Sequence, residues 1–183
     1  MATSTDRQDR NVSLRRAEAS DARLLAQLGA RLFERAFGSS TTPQDMAAYL
    51  ASAFSVEIQS AELADPDRVT WIAEDAGKAA VGYLMLRRGT RSNGVTAVRP
   101  AELQRIYVDP TVQGQRVGES LVNACIEQAI AWHCDELWLG VWDQNARAIE
   151  FYRRMGFREV GTQTFSIGSD EQSDFVMSRT LMP

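Results

Sequence analysis

Leu103-Gln-Arg-Ile-Tyr-Val-Asp-Pro-Thr-Val-Gln-Gly-Gln-Arg-Val-Gly118 is the stretch on which the reading of this chain turns. Ile106, Tyr107 and Val108 favour an extended strand, and Pro110 stops it. From Gly118 to about Trp132 the apolar residues Leu121, Val122, Cys125, Ile126, Ala129 and Ile130 recur at helical spacing. A strand, a glycine turn and a helix start therefore follow in direct succession. A helix opening from such a turn leaves several backbone N–H groups without intrahelical partners. Together with the positive end of the helix dipole, they form a seat for a phosphorylated ligand. The Gln-Gly-Gln-Arg-Val-Gly loop is neither the three-glycine dinucleotide fingerprint nor a P-loop, since no Gly-Lys-Ser/Thr follows.

Outward from this stretch the periodicity alternates. Arg15 to Ala36 reads as a helix started by Ser20 and Asp21, and a second helix begins at Pro43 and bends near Ser55. Val69–Glu74 and Ala80–Arg87 read as a hairpin around Asp75-Ala-Gly-Lys. Another turn, Arg88 to Val95, leads into a strand from Ala97 to Val108. Beyond the central helix come the strand Glu136–Val141, a helix from Ala146 to Met155 stopped by Gly156, and a strand opening at Phe157. A loop over Ser166–Ser173 precedes a last strand, Asp174–Leu181. This order predicts an α/β fold with a mixed sheet flanked by helices.

The 183 residues suit one domain, residues 13–183, preceded by a polar tail over residues 1–12 that lacks the apolar stretch of a signal peptide. No apolar run is long enough to span a membrane, which points to a cytoplasmic protein. The net charge of −4, without a basic block, argues against a nucleic-acid partner. Two cysteines complete neither a disulfide framework nor a metal site, so no metal is expected. Cys125 reads as core, and Cys134 beside His133 as a helix end.

Two motifs carry a resemblance. Gln113-Gly-Gln-Arg-Val-Gly118, preceded by Leu-Gln-Arg-Ile-Tyr-Val, matches the Gln/Arg-x-x-Gly-x-Gly/Ala turn of the GNAT acetyl-CoA-dependent N-acetyltransferases. Asn145-Ala-Arg-Ala-Ile-Glu-Phe-Tyr-Arg-Arg-Met-Gly-Phe157 matches that family's downstream pattern. Arg116 replaces the usual middle glycine, a substitution that is costly if the position needs positive φ and harmless in a helical first turn. Phe33-Glu-Arg-Ala-Phe, Glu62-Leu-Ala-Asp-Pro and Phe165-Ser-Ile-Gly-Ser-Asp-Glu-Gln-Ser-Asp-Phe-Val-Met resemble the bacterial Pai-type polyamine acetyltransferases, with Ser169 where that branch has aspartate.

The resemblance implies a GNAT-like sheet whose central strands, ending at Val108 and Val141, splay around acetyl-CoA. The pantetheine arm would pair with Ile106 and Val108, and a bulge near Arg105–Tyr107 would open the sheet. The pyrophosphate would rest on Gln113, Gly114, Gln115, Arg116, Val117 and Gly118. Tyr152 stands where the family places the acid that protonates the departing thiolate; a packed aromatic is the alternative. Glu102 stands where some members place a general base, or is a plain strand glutamate. An N–H of Val108 or Tyr107 would meet the oxyanion, and Asn145 would hold the cofactor arm or simply cap its helix. The expected partners are acetyl-CoA and a small amine such as spermidine or spermine; a homodimer is common among relatives. A protein N-terminus, lysine or amino acid as acceptor, and a non-catalytic acetyl-CoA sensor, are the competing readings. Glu34, Glu57, Asp170, Glu171 and Asp174, with Trp71, Tyr83, Trp138 and Trp142, are the candidates for the acceptor side.

Overall fold

A computed structural model describes residues 12–112, 114–168 and 170–181. The expected tail, except for Val12, and the positions Gln113 and Ser169 lie outside the described residues. Seven strands form one sheet in the order β1-β2-β3-β4-β5-β7-β6. They are β1 (Ser13–Arg16), β2 (Arg68–Glu74), β3 (Ala80–Arg88), β4 (Pro100–Val108), β5 (Glu136–Trp142), β6 (Arg158–Ile167) and β7 (Asp170–Thr180). The helices are α1 (Ala22–Phe37), α2 (Pro43–Ala53), α3 (Val56–Ala64), α4 (Val117–Ala131) and α5 (Ala146–Arg154). β4 and β5 run parallel, and the other neighbouring pairs are antiparallel. The expected mixed, helix-flanked sheet is therefore what forms.

Apolar residues go to both faces because helices cover both. Leu121, Val122, Cys125 and Ala129 of α4 pack with Leu84, Leu86, Ala101, Leu103, Leu137 and Leu139 from the central strands. On the other face Leu25, Leu28 and Leu32 of α1 meet Ile72 and Tyr83. Cys125 and Cys134 are buried, and burial pushes both thiols up, away from the reactive thiolate form.

Several expected boundaries are corrected. Arg15 belongs to a strand, not a helix: β1 pairs with the edge of β2, and the Arg15 guanidinium bridges Asp21 and Glu74. The helix proper starts only at Ala22, with Asp21 at its N-cap position. The second helix is two, α2 and α3, with Ser55 capping α3 at the expected bend. The strand expected from Ala97 starts at Pro100; the preceding amides of Ala97, Val98 and Arg99 donate instead to the carboxylates of Glu136 and Asp135. The loop expected over Ser166–Ser173 is mostly strand, because Gly168, at φ +62°, lets β6 and β7 join through a tight turn.

The bulge sits at Gln104, just before the expected position: Met85 pairs with Arg105, whereas Leu86 pairs with Leu103. One extra residue inverts the side-chain alternation. Ala101 and Leu103 before it, and Ile106 and Val108 after it, all turn toward α4, while Tyr107 turns toward α1. Glu62 of α3 secures the bulge from below. It accepts from Arg68 (2.7 Å) and from Arg105 (2.6 Å), and Arg68 also donates to Gln104 at 3.2 Å. Removing one member of a buried ion cluster leaves uncompensated charge, at a cost of about 3–5 kcal/mol. Glu62→Ala, which leaves Arg105 without its carboxylate while Arg68 keeps Asp65, should lower the unfolding free energy by about 3 kcal/mol in urea titrations; a loss within error of zero would show that Glu62 does not hold the bulge.

Candidate active site

β4 and β5 pair only at Pro100–Glu102 with Glu136–Trp138; beyond that register they separate. Which groups of β4 face the gap follows from its other neighbour. Asp109 N–H donates to Val81 C=O at 2.7 Å. In an antiparallel ladder such exchanging pairs alternate, so Tyr107 exchanges with Tyr83, while Ile106 and Val108 turn their N–H and C=O the other way. The N–H of Tyr107, one of the two donors expected for an oxyanion, is thus turned away from the wedge. That of Val108 faces it, as does that of Ile106.

The wedge opens into a cavity of about 740 Å³. Among the expected site residues, Glu102, Ile106, Tyr107, Val108, Gly114, Arg116, Val117, Gly118, Asn145 and Tyr152 line it. Gln115 is not among the lining residues, and Gln113 lies outside the described residues.

One end of the cavity is the start of α4. Thr42, Ser55 and Asn145 cap α2, α3 and α5 with side-chain oxygens, but α4 begins at Arg116, which has no acceptor, and no side chain caps it. The first intrahelical bond runs from Ser120 N–H to Arg116 C=O. The amides of Val117, Gly118 and Glu119 therefore open on the cavity unsatisfied by the helix. Gly114 (φ +85°) and Arg116 (φ +57°) are both left-handed, so arginine at the middle position is the costly alternative and not the harmless one. Arg116, Arg147 and Arg154 also line the cavity, with Arg116 paired to Glu119 and Arg154 to Glu150.

Tyr152 projects from α5 one turn after Ile149, both on the buried face of that helix. Its ring sits edge-on to Phe151 (5.3 Å) and Phe157 (5.8 Å). Burial pushes the phenol up, with the nearby Cys125 adding to the effect, so the proton is held firmly. Phe151 is half-buried and lines the cavity over Gly118. Asn145 accepts from Ala148 N–H at 3.1 Å, so it caps α5 and lines the cavity at once.

Glu102 accepts from the Thr90 hydroxyl at 2.9 Å, and burial raises its carboxyl above the usual range, Thr90 partly opposing. Of the other acceptor candidates, Asp174 and Trp142 line the cavity. Glu34, Glu57 and Glu171 do not, and the side chain of Asp170 is not described. Trp71 is core under the Arg16 guanidinium, Tyr83 is fully buried beneath α1, and Trp138 donates to Thr90 C=O. Apart from Trp142, the aromatic wall comes from residues not expected there. Phe33 stacks on Tyr49 at 4.4 Å, Phe37 lies 6.4 Å from Trp142, and Phe165 meets Tyr49 edge-on. A helix stripe ending at Phe33 reads as ordinary core, and only the fold extends α1 to Phe37 and brings both rings to the wedge.

Among the described residues no cluster of His, Cys, Asp or Glu could hold a metal ion, and no helix is long and apolar enough to cross a membrane.

Comparison with known proteins gives this geometry its context. An uncharacterized N-acetyltransferase of Mycobacterium tuberculosis is 33% identical, over 89% of this chain and 99% of its own length. The PaiA N-acetyltransferase of Thermoplasma acidophilum, solved in complex with coenzyme A, has the same fold, with a TM-score of 0.73 at 18% identity over 93% of this chain and 99% of that one. The spermidine/spermine N-acetyltransferase SpeG of Vibrio cholerae superposes with a TM-score of 0.65 at 20% identity, over 94% of each chain. The acetyltransferase (GNAT) family model matches residues 30–157, which hold the wedge, the uncapped helix start and Tyr152. The chain belongs to the GNAT family and is an acetyl-CoA-dependent N-acetyltransferase.

Proposed function

We propose that the acceptor is a small cationic amine of the polyamine class, acetylated by direct attack within a ternary complex. The observation that carries this reading is that one cavity is lined by two carboxylates, Glu102 and Asp174, by the rings of Phe33, Tyr49 and Trp142, and by the uncapped start of α4. Aromatic faces and carboxylates both favour ammonium groups. The fold shared with PaiA and SpeG supports the same reading.

The residues present fit acetyl-CoA. The unsatisfied amides opening α4 would accept the pyrophosphate, with Arg116, Arg147 and Arg154 adding charge. Ile106 and Val108 would offer the pantetheine amides a strand edge. Asn145, with its oxygen committed to Ala148, would present its amide nitrogen to the arm. Bound there, the cofactor supplies the acetyl thioester.

An alkylammonium with pKa ~10.4 must lose a proton before it attacks. Glu102 would take it, directly or through water, and its raised pKa brings it closer to a useful base. An N–H of Val108 or Ile106 would stabilise the oxyanion, held in place by the ladder to β3. Tyr152 would then hand its proton to the departing sulfur. Its buried phenol stays protonated at neutral pH, as that role requires.

Thiol release measured with polyamines, peptides, amino acids and aminoglycosides tests the reading: spermidine or spermine should give the highest kcat/KM. Preference for a peptide or amino acid would replace the acceptor class, and silence throughout with acetyl-CoA still bound would favour a sensor. Tyr152→Phe should cut kcat about 100-fold while leaving acetyl-CoA affinity within a few-fold; unchanged turnover would remove Tyr152 as the acid. Glu102 must be ionised to act, so kcat at saturating substrates should fall as pH drops through its raised pKa. Glu102→Gln should abolish that acid limb, and a variant retaining both rate and limb would exclude Glu102 as base.

A further inference from the structure

Residues 89–99 between β3 and β4 do not turn back directly. They cross the sheet face to β6, where Asn93 Nδ2 donates to Thr162 C=O and Gly94 lies against the Val160 backbone. Val95 packs there with Trp138 and Val176, anchoring the crossing. The strap delivers two hydroxyls to the cavity wall. Thr90 reaches Glu102, and Ser92 Oγ donates to Gln163 Oε1 at 2.6 Å. An amide whose oxygen is taken can offer only its NH2 onward, and Gln163 hydrogen-bonds Asp174. Gly140 makes room for this arrangement: a Cβ there would lie 2.4 Å from Gln163 Nε2 and 3.1 Å from Asp174 Oδ2.

Asp174 is unlike the other buried acids. Asp21 pairs with Arg15, Glu62 with Arg68 and Arg105, Glu74 with Arg15, and Asp109 with Arg31. Asp174 is 7% exposed, yet among the described residues no Lys, Arg or His forms an ion pair with it. Burying a carboxylate without a cation is costly. This one lines the cavity and is aimed by a built relay, so the cation that suits it enters with the acceptor.

Resting on the amine-acceptor reading, we propose that Asp174, oriented by the Ser92–Gln163 relay, binds a second ammonium group of the acceptor and so selects amines with at least two cationic centres. Glu102 pairs opposite Trp138 of β5, whereas Asp174 pairs opposite Trp142 and reaches its carboxylate over Gly140. The two carboxylates can thus serve two nitrogens of one molecule. Asp174 is a specificity residue; Gln163 and Ser92 are positioning residues.

Kinetics of the full chain with spermidine and with the monocation butylamine test this. Asp174→Asn, which keeps the shape and removes the charge, should lower the spermidine-to-butylamine ratio of kcat/KM about tenfold or more, chiefly through the KM for spermidine. Ser92→Ala, which frees only the far end of the relay, should move the ratio about threefold in the same direction; it decides the matter if the aspartate variant does not fold. Calorimetric affinity for acetyl-CoA reports that each variant is intact. A spermidine-active wild type whose ratio is unmoved in both variants overturns this inference alone. A wild type inactive toward both amines overturns the amine-acceptor reading, and this inference with it.

Discussion

The separation of β4 from β5 past Glu102 is the feature on which the rest depends. Inside a covered sheet, a strand that leaves its neighbour exposes a row of N–H and C=O groups that must be satisfied or hydrated. Here the row is short, Ile106 and Val108, and it faces a cavity large enough for a ligand. The Gln104 bulge makes the separation tolerable: it re-aims the strand so that Ile106 and Val108 still bury their side chains against α4. The Glu62–Arg68–Arg105 cluster holds the bulge from the opposite face. Core packing, a buried ion network and an unpaired backbone edge thus form one mechanical unit.

The chemistry then divides along the wedge. At one end the dipole and amides of an uncapped helix, reached through two left-handed residues, favour anions. At the other, carboxylates and aromatic faces favour cations. Between them stand Tyr152, which burial keeps protonated, and Glu102, which burial makes more basic. The same desolvation acts on both groups and suits each to the opposite half of a proton exchange. Arg116 adopts the left-handed conformation that glycine would take without strain and, like glycine, brings no capping oxygen, so the amides stay open to a ligand.

Much of this was legible from the residues, for identifiable reasons. Strand, turn and helix succeed one another within Leu103–Gly118, so the signal is local and the element order followed from it. The spacing of Asn145, Tyr152 and Gly156 likewise placed α5 and its buried face. What sequence could not show was non-local. Arg15 reads as helical by neighbourhood, yet an edge strand and two carboxylates far along the chain claim it. The Gly-Ser-Asn stretch after Arg88 reads as a turn, while its role as a strap comes from contacts with Gln163 and Val160, some 70 residues away. Phe33 looks like core because its stripe is, and Phe37 falls past the helix end read from the sequence; their place on the cavity wall depends on how far α1 runs past the sheet. Asp174 was one acid among five until pairing and burial set it apart.

Backbone amide NMR during titration with coenzyme A reads out the wedge residue by residue. Binding there should perturb Ile106, Val108 and the amides of Val117, Gly118 and Glu119 most, while Tyr107 and β1 change little. Perturbations centred on another surface, or none at millimolar coenzyme A, would contradict binding in the wedge.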